Sequence, residues 1–145
     1  EIIVGDDKLK VAEVNRGTVQ QQPMSGFKAD TWSGGTHLWW TKGQPGDRIV
    51  IQFSLDKGGR YDVGGVFTKA HDYGKFRVKL NGETVVESID LFNKSNVITT
   101  GEVSLGTHEM KAGLNQLILE LLGANPEASP GNMAGIDHLR LLPAR

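Results

Sequence analysis

The feature that most constrains this chain is a two-residue alternation of apolar and polar side chains, cut into short runs by glycine. Ile49, Ile51, Phe53 and Leu55 alternate with Arg48, Gln52 and Ser54, and the Gly58-Gly59 pair ends the run. Tyr61, Val63 and Phe67 repeat the pattern, and Phe76, Val78 and Leu80 repeat it again before Asn81-Gly82. A period of two is what a strand with one buried face requires, and Asn-Gly is a strong two-residue hairpin signal before Thr84–Glu87. Weaker runs predict strands at Leu9–Val14, Thr18–Gln22, Thr36–Thr41, Val103–Glu109 and Ile136–Leu142. Leu114, Leu117, Ile118, Leu121 and Leu122 fit a helical stripe, while Leu117, Leu119 and Leu121 fit a strand. The stretch between Gly113 and Gly123 is short for a helix, which favours the strand. Strands at this spacing with no clear helix between them predict an all-β sandwich of two antiparallel sheets.

At 145 residues the chain fits one domain, residues 1–145, with a core large enough to need no staple. It has no cysteine. Its 16 Lys and Arg nearly balance 17 Asp and Glu, which argues against nucleic acid as a partner, because phosphate binding relies on a basic excess. No apolar run approaches the roughly 20 residues of a membrane-spanning helix, so no membrane insertion is expected. The sequence opens at Glu1 without a signal peptide, as a processed protein or a domain cut from a larger one would.

The stretches Pro23–Gly35, Asp90–Gly101 and Gly123–Gly135 are long for connections in a compact sandwich, and loops of that length are often functional. They and the His71-Asp72-Tyr73-Gly74 turn carry Trp32, Asn93 and Asn125. Sugar recognition uses this mixture: an aromatic face covers the C–H patch of a pyranose, while amides and carboxylates take its hydroxyls. Trp32, His71, Asp72, Tyr73, Asn93 and Asn125 are the candidate ligand-binding residues. The alternative is that Asn and Asp serve as turn formers and Trp32 plugs the end of the core. Strand alternation separates Trp39 from Trp40. Trp40 shares a face with Leu38 and belongs to the core, whereas Trp39 lies on the sheet surface or beneath the N-terminal segment. Glu13 shares a face with Leu9 and Val11, and Asp137 with Leu139 and Leu141. A carboxylate on an apolar face needs a partner: if the first and last strands are neighbours, Glu13 and Asp137 reach one calcium ion, the candidate metal site, and otherwise each lies at a strand end, exposed or bonded to Lys or Arg.

Catalysis finds little support. His37, His71, His108 and His138 show no metal-ligand spacing, and no nucleophile elbow, phosphate loop or dinucleotide fingerprint occurs. His71 with Tyr73 offers a base and acid for β-elimination from a uronide, but no obvious cation accompanies them.

Ser33-Gly34-Gly35-Thr36-His37-Leu38-Trp39-Trp40, Pro45-Gly46-Asp47-Arg48-Ile49, Gly59-Arg60-Tyr61, Lys111-Ala112-Gly113-Leu114-Asn115 and Ile136-Asp137-His138-Leu139 resemble, in order, the recurring motifs of galactose-binding-like sandwich modules. The series is similar to carbohydrate-binding modules of families 6 and 35. It is also similar to the ancillary sandwich domains of bacterial glycoside hydrolases, which share the Asp72-Tyr73-Gly74 turn and the Asn125-Pro126 loop. The resemblance implies a jelly roll whose loops at one end bind sugar, a catalytic domain in the same polypeptide, and a location outside the cell, in the periplasm or on its surface. Val11-Ala12-Glu13 departs from the pattern of these families, which carry a second glutamate there beside a structural calcium. A non-catalytic carbohydrate-binding module is therefore the leading expectation. A structural sandwich packed against a catalytic domain is the next, and a small lyase or hydrolase the last.

Overall fold

A computed structural model describes residues 1–145. The strands are β1 (Ile2–Gly5), β2 (Lys10–Val14), β3 (Thr18–Pro23), β4 (Thr36–Thr41), β5 (Arg48–Leu55), β6 (Gly59–Lys69), β7 (Lys75–Leu80), β8 (Glu83–Asp90), β9 (Ile98–Met110), β10 (Gly113–Gly123) and β11 (Ala134–Pro143). The only helical pieces are 3₁₀ turns at Asp6–Lys8 and Ser33–Gly35. No helix is long and apolar enough to cross a membrane.

The strands form two antiparallel sheets. One runs β3-β4-β11-β6-β9, with β1 pairing β11 beyond the end of β4; the other runs β2-β5-β10-β7-β8. The alternation read from sequence is the packing. Ile49, Ile51, Phe53 and Leu55 meet Leu38, Trp40, Leu139 and Leu141 in one core between the sheets. Leu117, Leu119 and Leu121 join it, so Gly113–Gly123 is a strand, paired on both sides by β5 and β7. Two expectations need extending. Ile2–Gly5 is a strand that too few alternating residues announce, and β9 begins at Ile98, five residues before the run at Val103.

Short polar networks fix the turns. Asn115 is buried. Its amide oxygen accepts from the Lys111 N–H and from the Asn81 amide, and its own amide nitrogen donates to the Lys111 carbonyl. Asp47, also buried, accepts from the Gln44 N–H at 2.7 Å and pairs with Arg16 at 2.8 Å, which holds the β4–β5 turn. Two β-bulges break the alternation where carboxylates occur. One falls between Val11 and Glu13, the other between Ile136 and His138. A bulge adds a residue to one strand and turns the following side chains. Glu13 thereby leaves the core face and meets Arg48 at 3.3 Å. Ile136 and Leu139 both stay in the core while Asp137 is freed from it.

Candidate functional site

Long loops gather at one end of the sandwich, where β6 passes to β7, β8 to β9 and β10 to β11. The opposite end carries tight turns such as Asn81-Gly82. Near the loop end the outer face of the β3-β4-β11-β6-β9 sheet is overlaid by residues 24–35, tied down by the Met24 N–H donating to the Gly35 carbonyl at 2.8 Å. Under this cover lies a small polar interior. Trp32 Nε1 donates to Thr68 Oγ1 at 2.9 Å, His37 Nδ1 meets the same hydroxyl at 2.6 Å, and His37 Nε2 meets Gln22 Oε1 at 2.6 Å. Burial holds the His37 pKa down, to about 4, so its ring is neutral at pH 7.

Trp32 is only 7% exposed, with Phe27 packed edge-on against it. Its expected role as an exposed sugar platform is corrected: the 24–35 segment and Thr68 seal it. Tyr73 is corrected likewise. It is 4% exposed and sits in the main core, and burial, with the Asp72 charge, pushes its phenol pKa up. Only a small part of it reaches the surface, where it joins His71 in one cleft wall. His71 is exposed, with Nδ1 3.1 Å from Ser129 Oγ.

Trp39 is half-buried at this end, as is Phe27. Trp39 lines two clefts, which share it and Met133. The smaller, about 150 Å³, is walled by Phe27, Gln22, His71, Asp72 and Tyr73. The larger, about 630 Å³, is walled by Thr41, Lys42, Gln44 and residues 130–133. Trp39 Nε1 has no hydrogen-bond partner. His71 and Asp72 line the smaller cleft. Asn93 and Asn125 are not among its walls. Asn93 donates to the Asn96 carbonyl within its own loop, and Asn125 donates to Asp90 at 2.8 Å while accepting from the Glu127 N–H. Both serve as loop braces. Alternation separated Trp39 from Trp40 in the sequence; what it lacked was the path of residues 24–35, which cover Trp32 and leave Trp39 half open.

The expected calcium pair is not assembled. Glu13 lies on β2 of one sheet and Asp137 on β11 of the other. The carboxylate that accompanies Asp137 is Asp6, which follows β1, the strand paired to β11. Asp137 is 3% exposed; its Oδ2 accepts from the Ser33 N–H and lies 3.3 Å from His138 Nδ1, while Oδ1 has no partner. Desolvation raises the Asp137 pKa, and the Asp6 charge adds to the rise. Asp6 is itself buried and accepts from Thr36 and Gln21. A buried carboxylate oxygen without a donor, beside a second carboxylate, suits a hard cation. No cluster of three His, Cys, Asp or Glu occurs, so the remaining ligands of such an ion would be backbone or water oxygens.

A two-sheet antiparallel sandwich of this topology, with long loops at one end, has the fold of carbohydrate-binding modules of families 35 and 36. A family 35 module from Clostridium thermocellum superposes over 99% of this chain and 98% of its own, at TM-score 0.58 and 16% identity. A Podospora anserina β-(1,4)-mannanase with a family 35 module matches 99% of this chain and 28% of its own, at TM-score 0.58 and 19% identity. A Paenibacillus xanthan lyase matches 98% of this chain at TM-score 0.81 and 19% identity, and the chain spans 13% of that enzyme's length. No protein-family model and no curated protein matches the sequence. At these identities the likeness is one of fold.

Proposed function

We propose that this chain is a non-catalytic carbohydrate-binding module that holds a polysaccharide-degrading enzyme, of the same polypeptide, against its substrate outside the cell. The observation that carries this reading is the cleft on either side of Trp39. A half-open indole with His71, Asp72 and Gln22 on one side and Thr41, Gln44 and Asn132 on the other combines an apolar face with hydrogen-bonding groups, as a sugar demands. The like-folded domains within a mannanase and a xanthan lyase support the setting. Individual contacts of this kind are weak, and tethering turns modest affinity into a high local concentration.

The test is a binding screen of the purified chain against mannans, xylans, galactans and xanthan, followed by Trp39→Ala on any hit. Loss of affinity by about tenfold or more in a variant that still melts cooperatively is the expected result. A hit that Trp39→Ala leaves unchanged would move the site elsewhere on the sandwich.

A calcium ion belongs to the same proposal, held by Asp137 with Asp6 in place of Glu13. Its charge would let Asp137 stay ionised despite burial. What supports it is the unpartnered Asp137 Oδ1 beside a second buried acid. Adding calcium to chelator-treated protein is expected to raise the melting temperature, and Asp137→Asn to abolish the rise while Glu13→Gln keeps it. An unchanged melting temperature in the parent protein argues that Asp137 holds a proton instead.

A further inference from the structure

A second opening lies at the turn end of the sandwich, away from Trp39. It is a groove of about 450 Å³ lined by Ile2, Ile3 and Val4 of β1, by Phe53, Ser54 and Leu55 of β5, and by Leu114. Consecutive residues of a strand point to opposite faces, so a groove that touches three in a row on each strand runs along strand edges. Both edges are unpaired. β1 pairs only with β11, and β2 follows β5 no further than Lys10↔Gln52, which leaves residues 53–55 paired with β10 alone. Val4, Phe53 and Leu55 are buried members of the core. Leu114 and Ile3, at 58% and 44%, are the two most exposed large apolar side chains of the molecule.

The sandwich guards its other edges. β2 carries Lys10, Glu13 and a bulge, and β3 carries three glutamines and Pro23. β8 has Glu83, Glu87 and Asp90, and β9 has Glu102, Glu109 and two register shifts. Charges, proline and bulges are the devices that keep a free edge from pairing. β1 reads Ile2-Ile3-Val4-Gly5, with none of them. An apolar, unguarded edge beside a second free edge is a site for one more strand.

Charge says what that strand carries. Lys8 and Lys10 line the groove, both exposed and neither in an ion pair, against one acid, Asp56. A second copy docked on the same groove about a twofold axis would set lysines against lysines. An acidic strand meets no such repulsion. Its sides alternate, so apolar side chains at every other position face Val4, Phe53 and Leu55 while the acids between them face the lysines.

We infer that this groove receives an extended segment of alternating apolar and acidic residues, added as a strand to the edges of β1 and β5. Only three or four residues of either edge are free, so a detached peptide binds weakly, with a dissociation constant of about 1 mM. Tethering supplies the missing concentration, which assigns the segment to the same polypeptide. The groove shares no wall with the Trp39 clefts, so this docking is independent of carbohydrate binding.

The probe is a capped hexapeptide alternating glutamate and valine, titrated into the isotope-labelled chain and followed by amide and methyl resonances. One control peptide replaces glutamate by lysine, and another methylates every backbone nitrogen. The expected result is saturable shifts confined to residues 2–4, 53–55 and Leu114, with each control about tenfold weaker or more. Ile3→Lys puts a guard charge at an exposed position and should abolish the shifts while the chain still melts cooperatively. Lys8→Glu with Lys10→Glu should remove the preference for glutamate. An absence of shifts, shifts elsewhere, or equal binding by either control would overturn the strand site. Groove resonances that move on dilution without peptide would replace the segment by a second copy. A dissociation constant below about 1 μM would replace the tethered segment by a free partner.

Discussion

The outer faces of the two sheets are finished in opposite ways. On the β2-β5-β10-β7-β8 sheet, Val50 and Ile118 sit directly across from one another, 6% and 7% exposed, among long charged side chains. Glu120 lies between Arg48 and Arg77 in the register and pairs with Arg77 and Lys79 at 3.4 and 3.3 Å, while Glu13 takes Arg48. Apolar stems cover the sheet and charged ends stay in water, an ordinary solvated surface. On the other sheet, His37, Thr68, Trp32 and Asp137 are buried outside the main core, bonded mainly to each other and to residues 22–35. Buried polar groups give specificity of position more than net stability. The face that carries them is the one that fixes Trp39 and its cleft, the site proposed above.

The sharpest way to break this contrast is Thr68→Val. The hydroxyl serves both Trp32 Nε1 and His37 Nδ1, so an isosteric methyl orphans two buried groups. The expected loss is about 3–5 kcal/mol in chemical denaturation, with the indole fluorescence altered. A loss near zero would mean that the network is ornamental and the two faces alike.

What the sequence disclosed follows the same division. The core was readable because Ile49, Ile51, Phe53 and Leu55, then Tyr61, Val63 and Phe67, then Phe76, Val78 and Leu80 keep an even spacing, whereas the Lys111–Asn115 turn was visible only through its resemblance to a family motif. Trp32 and Tyr73 misled because an aromatic in a glycine-rich loop looks the same whether it is presented or sealed. Only the fold-back of residues 24–35 and the inward turn at Tyr73 decide between the two. Glu13 misled for a local reason: a bulge of one residue inverts every later position in the strand, and nothing in Lys10–Val14 announces it. Asp6 was missed because it follows a four-residue strand too short to show a period.

Acidification should also act on the networked face. His37 has its folded pKa lowered from 6.5 to about 4, so above pH 6.5 its neutral form costs nothing relative to the unfolded chain. As pH falls from 6.5 towards 4, the unfolded chain takes up a proton that the native ring refuses, and stability declines by about 3 kcal/mol before levelling off. Asp137 works against this trend, because its raised pKa favours protonation in the folded state. Denaturant midpoints measured between pH 7 and 4 should therefore fall in the parent and flatten in His37→Gln. An equally steep fall in the variant would assign the acid sensitivity elsewhere.

Close packing gives a third, smaller effect. A Cβ on Gly135 would lie 2.4 Å from His37 Nδ1 and 2.9 Å from the Thr68 side chain, so Gly135→Ala must push the network apart. An overpacking cost of about 1–3 kcal/mol is expected, with weaker binding wherever Trp39 shifts on its strand. β4 pairs with β11 at Gly135↔Trp39, which gives that strain a direct route to the cleft.

The charged face should answer least. Glu120→Gln keeps the aliphatic stem and removes only the charge, and Arg48 and Arg77 retain Glu13 and Glu87 as partners. Glu120 is 23% exposed in its side chain and Lys79 28%, so solvent screens what is lost. A change below about 1 kcal/mol, shrinking further in salt, is expected. The same substitution should leave carbohydrate binding untouched, since this face shares no wall with the Trp39 cleft. A loss as large as that of Thr68→Val would mean that both outer faces are interiors. The two variants measured side by side, at low and high salt, decide it.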